Sequence, residues 1–222
     1  MSDYSNSPLI KKTQELHKKN LLNESLYEAV KSNNYGKVVE LVSKGAEPFF
    51  ENDSETKSYS DDMDSLLHIA CKLGFKDIAC FLIEKGAHIN SKNRSQQTPL
   101  HMACYTGNQE LIDHLLMHGA DINAQENEGD TPLVWTVYLQ DPKTTLHLIK
   151  RGAEINSKNK DGRLPIHWAA FKGNVEILKI LIENGGDFHA VSDMGETPLD
   201  CATCNGHVEA VMYLLNILNH KN

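Results

Sequence analysis

The segment Cys201-Ala202-Thr203-Cys204 sets two thiols at the spacing found in zinc sites and thiol-exchange centres. A zinc site needs four ligands, however, and no second pair sits nearby in the sequence. The five cysteines are odd in number and irregularly spaced, so no disulfide framework is expected and all five read as free thiols of a reducing compartment. Eleven histidines offer further ligands, but His68, His101 and His167 share one 33-residue register, which points to a repeated structural duty instead of a metal cluster. No phosphate-binding glycine loop, paired catalytic carboxylates or nucleophile elbow occurs. The expectation is a chain that is not an enzyme and uses neither cofactor nor metal.

The remaining chemistry is that of recognition. Ile69, Met102, Trp135, Trp168 and Cys201 recur every 33 residues, and Lys72, Tyr105, Tyr138, Phe171 and Cys204 follow three positions later. If successive units stack, Met102, Tyr105, Trp135, Tyr138, Trp168 and Phe171 form one strip across three neighbours, of the residue types that anchor interfaces. Tyr105, Tyr138 and Phe171 are expected to be partly exposed; the first row either joins the strip or packs into the core. Arg94, Gln97, Glu128, Asp130, Lys160 and Arg163 would form a polar rim, with Arg163 counted among the partner-binding residues. Basic residues gather at Lys158, Lys160, Arg163 and Lys172, which would polarise the groove. Residues 51–64 carry Glu51, Asp53, Glu55, Asp61, Asp62 and Asp64 against one Lys57, with Ser54, Ser58, Tyr59 and Ser60 between them. Two readings of this stretch stay open: a solvated loop, or an acidic finger that selects a basic partner and is tuned by phosphorylation.

Positioning such residues requires a repeated scaffold, and the sequence carries one. Ser65-Leu66-Leu67-His68, Thr98-Pro99-Leu100-His101, Thr131-Pro132-Leu133-Val134, Leu164-Pro165-Ile166-His167 and Thr197-Pro198-Leu199-Asp200 follow one another at 33-residue spacing. Gly86-Ala87, Gly119-Ala120, Gly152-Ala153 and Gly185-Gly186 keep step with them. Thr98 reads as an N-cap and Pro99 as the first helical residue, with His101 placed to reach back to the cap. Gly107 ends that short helix, and Leu111, Ile112, Leu115 and Leu116 give a second helix one apolar stripe. Gly119 closes the pair, and a polar hairpin leads to the next cap. One such pair cannot bury its own apolar face, so the units must stack into an all-α solenoid.

These features resemble ankyrin repeats over roughly residues 22–220. The resemblance implies about six helix-turn-helix units with hairpin loops, at about 22–62, 63–93, 94–126, 127–159, 160–192 and 193–222. Gly45 and Gly86 are 41 residues apart, so the first unit carries an enlarged loop at 50–64. Residues 1–21 form an N-terminal extension, either one weakly amphipathic helix against the first repeat or a disordered segment. In ankyrin stacks the hairpins and first helices line a concave binding face, which implies a non-catalytic scaffold for a protein or peptide partner. Residues 131–198, with tryptophan after the capping position in consecutive repeats, resemble the ankyrin domain of the Asp-His-His-Cys palmitoyltransferases, where it recruits substrates. Asn90, Asn123 and Asn156 occupy the hairpin position that an asparaginyl hydroxylase modifies in ankyrin proteins, which implies a role as its substrate.

A formal net charge of −8 argues against nucleic acid and anionic lipid and favours neutral or basic protein partners. No apolar run approaches the length needed to cross a bilayer, so no membrane insertion is expected. Met1-Ser2-Asp3-Tyr4 lacks the pattern of a secretory signal, so a cytoplasmic or nuclear monomer is the expectation. The unit at 127–159 is the most irregular. Val134 replaces the capping histidine and Gln140 the helix-ending glycine, so this unit is expected to open first.

Overall fold

A computed structural model describes residues 8–48 and 63–220 of the chain. Among the described residues there are twelve helices and no strand. After α1 (Pro8–Lys31) and α2 (Tyr35–Ser43) come five short-helix pairs: α3 (Leu66–Lys72) with α4 (Lys76–Glu84), α5 (Pro99–Thr106) with α6 (Gln109–Met117), α7 (Pro132–Tyr138) with α8 (Pro142–Lys150), α9 (Pro165–Phe171) with α10 (Val175–Glu183), and α11 (Pro198–Cys204) with α12 (Val208–His220). The first helices pack in a row, α3 on α5, α5 on α7, α7 on α9 and α9 on α11, with the second helices behind them. Their apolar stripes meet in between: Leu67, Leu82, Leu100, Leu115, Leu133, Leu148 and Leu181 are fully buried.

The capping histidines do more than the spacing foretells. In α5 the Thr98 N–H donates to His101 Nδ1 at 3.2 Å, closing the cap. The other ring nitrogen, Nε2, then carries the proton and donates to the carbonyl of Asp130 in the next unit at 3.3 Å. His68 spans to Gln97 at 2.9 Å and His167 to Glu196 at 3.2 Å in the same way. Each imidazole thus ties its own helix start to the following repeat, and burial is the main reason that the pKa of all three is depressed, for His101 to about 4. In α11 the Asp200 carboxylate takes over the capping part. Val134 can do neither, and the Thr131 hydroxyl is left buried without a partner among the described residues.

The hairpins are laced together as well. Asn90 accepts the Asp121 N–H and donates to the Gly119 carbonyl, and Asn156 does the same with Asp187 and Gly185. Asn123 accepts the Glu154 N–H. The tips form a ladder, Lys160 N–H to Glu128 carbonyl and Asp193 N–H to Asp161 carbonyl. Gly129 permits this approach, since a Cβ there would lie 2.9 Å from the Lys160 nitrogen.

At the N-terminus the structure runs a single helix through the expected boundary at 21 and 22. Its C-terminal half packs, burying Leu26, Ala29 and Val30, whereas residues 11–18 are exposed, Leu16 among them. Asn23 on this helix accepts the Glu47 N–H at 2.9 Å, matching what Asn90, Asn123 and Asn156 do for the next unit. α1 therefore caps the stack with the hydrogen bond that a preceding hairpin would otherwise supply.

The 127–159 unit divides the core. Apolar residues gather into one cluster that includes Leu133 and Leu148 and another that begins at Val137. Between the two helices, Thr136 and Thr145 bond to each other at 3.0 Å, and Thr144 bonds to Asp141, with all three threonines fully buried. Gln140 holds φ +58°, a left-handed conformation that glycine takes at the matching position in other units.

Candidate partner-binding groove

The first helices and the hairpins beside them carry the candidate side chains. Tyr105, Val134, Trp135, Tyr138, Leu139 and Trp168 wall a cleft of about 350 Å³ whose remaining lining is Glu126, Glu128 and Asp130. Trp135 stands over the His101 cap, ring centres 5.6 Å apart and near perpendicular. Tyr138 meets Trp168 edge-on at 5.8 Å, and Trp168 meets Phe171 edge-on at 5.9 Å. Such pairs hold one another in fixed orientations, so the wall is preformed. Tyr105 and Tyr138 are 60% and 51% exposed, and Trp135, Trp168 and Phe171 are half-buried.

Two expected members of the site behave otherwise. Met102 is buried at 4% exposure and is a core residue, because its thioether is short enough to be covered by the neighbouring helix pair. Arg163 lies with its guanidinium 5.5 Å from the Trp168 ring and bonds Glu196 at 2.5 Å. It braces Trp168, with its charge already neutralised. Its Nε and the indole Nε1 of Trp168 are buried and unpartnered among the described residues.

The acidic lining has a local origin. Asn93 and Asn159 each accept two backbone N–H groups in their hairpins. Glu126 stands at the corresponding place and accepts those of Glu128 and Asp130, at 2.8 and 3.1 Å. The exchange keeps the turn and adds a negative charge. Burial, then Glu126 and its acidic neighbours, push Asp130 up to about 6 against the hydrogen bond from Asn159. Glu126 was outside the expected rim, although its departure from the asparagine register was visible in the sequence. The contact of Lys172 with Tyr138, Nζ 3.7 Å from the ring centre, was not foreseen either.

Of the acidic stretch, Asp53, Glu55, Asp61 and Asp62 lie outside the described residues. Asp64 does not belong to an exposed finger: it is buried and accepts from Asn93 Nδ2 at 2.8 Å, as Asp130 does from Asn159. It is a member of the hairpin framework. The five cysteines are free, with Cys201 buried and Cys204 exposed. Among the described residues no group of three or more His, Cys, Asp or Glu side chains is arranged to hold a metal ion, and no helix is long and apolar enough to cross a membrane.

A family model described as ankyrin repeats (3 copies) matches the chain three times, over residues 26–126, 67–159 and 133–222. No curated protein matches it. The three matches overlap and run from the end of α1 through the last helix pair, in step with the stacked helix pairs and their laced hairpins: the chain belongs to the ankyrin-repeat family.

Proposed function

We propose that this chain is a non-catalytic interaction module that holds a protein or peptide partner against Tyr105, Trp135, Tyr138 and Trp168. Ankyrin repeats are in general protein-protein interaction modules. The observation that carries the reading is the edge-to-face run Tyr138–Trp168–Phe171 over two successive first helices, with Trp135 and the exposed Tyr105 of the preceding first helix lining the same cleft. Rigid rings bury large area on binding at little entropic cost, which is why aromatic residues anchor interfaces. Nothing about the wall is needed to complete the core at Tyr105 or Tyr138, since both rings face solvent.

The test is affinity capture from the native organism with the wild-type chain and a Tyr105→Ala, Tyr138→Ala variant, both checked for folding by circular dichroism. A partner retained by the wild type and lost by the folded variant supports the groove. Equal retention by both removes it as the binding face.

A further inference from the structure

We infer that the groove is built to take a lysine or arginine side chain from an extended basic segment of the partner, held between the rings of Trp135 and Tyr138 and the carboxylates of Glu126 and Glu128. This rests on the groove being the binding face. Three observations lead to a cation. First, Glu126, Glu128 and Asp130 line the same cleft as the aromatic rings, and among the described residues no salt bridge engages any of them. Carboxylates without a cationic partner, beside low-dielectric walls, concentrate negative potential in the cleft. Second, aromatic faces attract cations through the ring quadrupole, and this wall already does so at its margin, where the Lys172 ammonium sits 3.7 Å from the centre of Tyr138. Third, burial first and then the like charges of Glu126, Asp161 and Glu128 raise the pKa of Asp130 to about 6, and an entering cation relieves the second of these.

An anionic segment would meet the same field with the opposite sign. A purely apolar one would strip water from the carboxylates and bring no counter-charge, which is costly. The chemistry therefore selects a basic chain with one long cationic side chain entering the cleft and its neighbours running along the hairpins, where the charge of Asp161 also acts on Asp130.

The test uses three fluorescently labelled peptides of eight residues, alternating glycine with arginine, with citrulline or with glutamate, titrated with the full chain at 0.15 M salt. The expected result is arginine-peptide binding at least tenfold tighter than citrulline-peptide binding, with no detectable binding of the glutamate peptide. The Glu126→Gln, Glu128→Gln variant keeps the hairpin acceptor and weakens arginine-peptide binding at least fivefold. A charge-matched control, Glu176→Gln with Glu209→Gln on the second helices, changes it less than twofold. An equal loss in the control means diffuse attraction by the acidic protein and overturns the proposal, as does no arginine-peptide binding. If citrulline binds as well as arginine and only Tyr105→Ala, Tyr138→Ala abolishes binding, the cation is refuted and the groove stands. If the arginine peptide binds regardless of both the tyrosine and the Glu126, Glu128 variants, it binds elsewhere, and the groove loses its support along with the cation.

Discussion

The ammonium of Lys172 rests 3.7 Å from the centre of the Tyr138 ring, joining the end of the fifth unit's first helix to that of the fourth. The contact crosses a unit boundary and helps set how far the Tyr138 ring stands from Trp168, its edge-on neighbour. A double-mutant cycle of Lys172→Met and Tyr138→Leu is expected to show a coupling of about 0.5–1 kcal/mol in urea unfolding, the range of partly exposed cation–π pairs. Strict additivity of the two substitutions would remove this contact from the account.

Val134 breaks the series of histidine caps and leaves the Thr131 hydroxyl buried without a partner among the described residues. Val134→His restores a ring that accepts from the Thr131 N–H and reaches the next hairpin, and Val134 borders the open cleft, so the larger ring has room. The gain expected is about 1 kcal/mol, or roughly 2–4 °C in the unfolding midpoint. A thermal melt shows it directly, and an unchanged or lowered midpoint would mean that the imidazole does not reach both partners.

Stability should fall with acid through a defined window. His68, His101 and His167 have depressed pKa values because burial disfavours the imidazolium, and in each the cap uses the unprotonated Nδ1. The unfolded chain therefore binds more protons than the native one below pH 6.5. For His101 the stability present above that pH drains away down to about 4, on the order of 3 kcal/mol in all. Asp130 acts in the opposite sense: its raised pKa favours the native state below about 3.8, and that contribution is lost as pH rises through about 6. Urea midpoints measured from pH 7.5 to 4.5 should decline overall, because three histidines oppose one aspartate. His101→Gln, which keeps a capping acceptor, should flatten the decline, and an undiminished slope in that variant would locate the acid sensitivity elsewhere.

The 127–159 unit should be the first to open. It buries four threonines, two apolar clusters meet within it, and Gln140 sits in a left-handed conformation that costs a side chain about 1–2 kcal/mol. Amide hydrogen exchange is expected to be faster at 132–150 than at 99–117, since repeats exchange through near-independent opening. Gln140→Gly should slow it. Protection in α7 and α8 equal to that in α5 and α6 would show that the buried hydroxyl network compensates for the break.

The sequence by itself determined everything that depends on a unit's own backbone. Thr98-Pro99 starts a helix wherever it stands, Gly107 ends one, and the leucines of α6 face inward by helical period alone, so the all-α stack was legible without a structure. Periodicity also placed Tyr105 and Tyr138 on one side of the stack. Only the tertiary structure decided matters that involve side chains about 33 residues apart. The two rows were written alike, yet Met102 is buried while Trp135 reaches the cleft, because an indole is too long to be covered by the neighbouring pair and a thioether is not. Arg163 became a brace because Glu196 of the next unit lies within reach. Asp64 left the acidic loop for the framework because Asn93, 29 residues on, offers it a buried amide. Local hydrogen bonds are encoded by residues a few positions apart, whereas exposure and charge pairing are set by whichever side chains the stacking brings alongside.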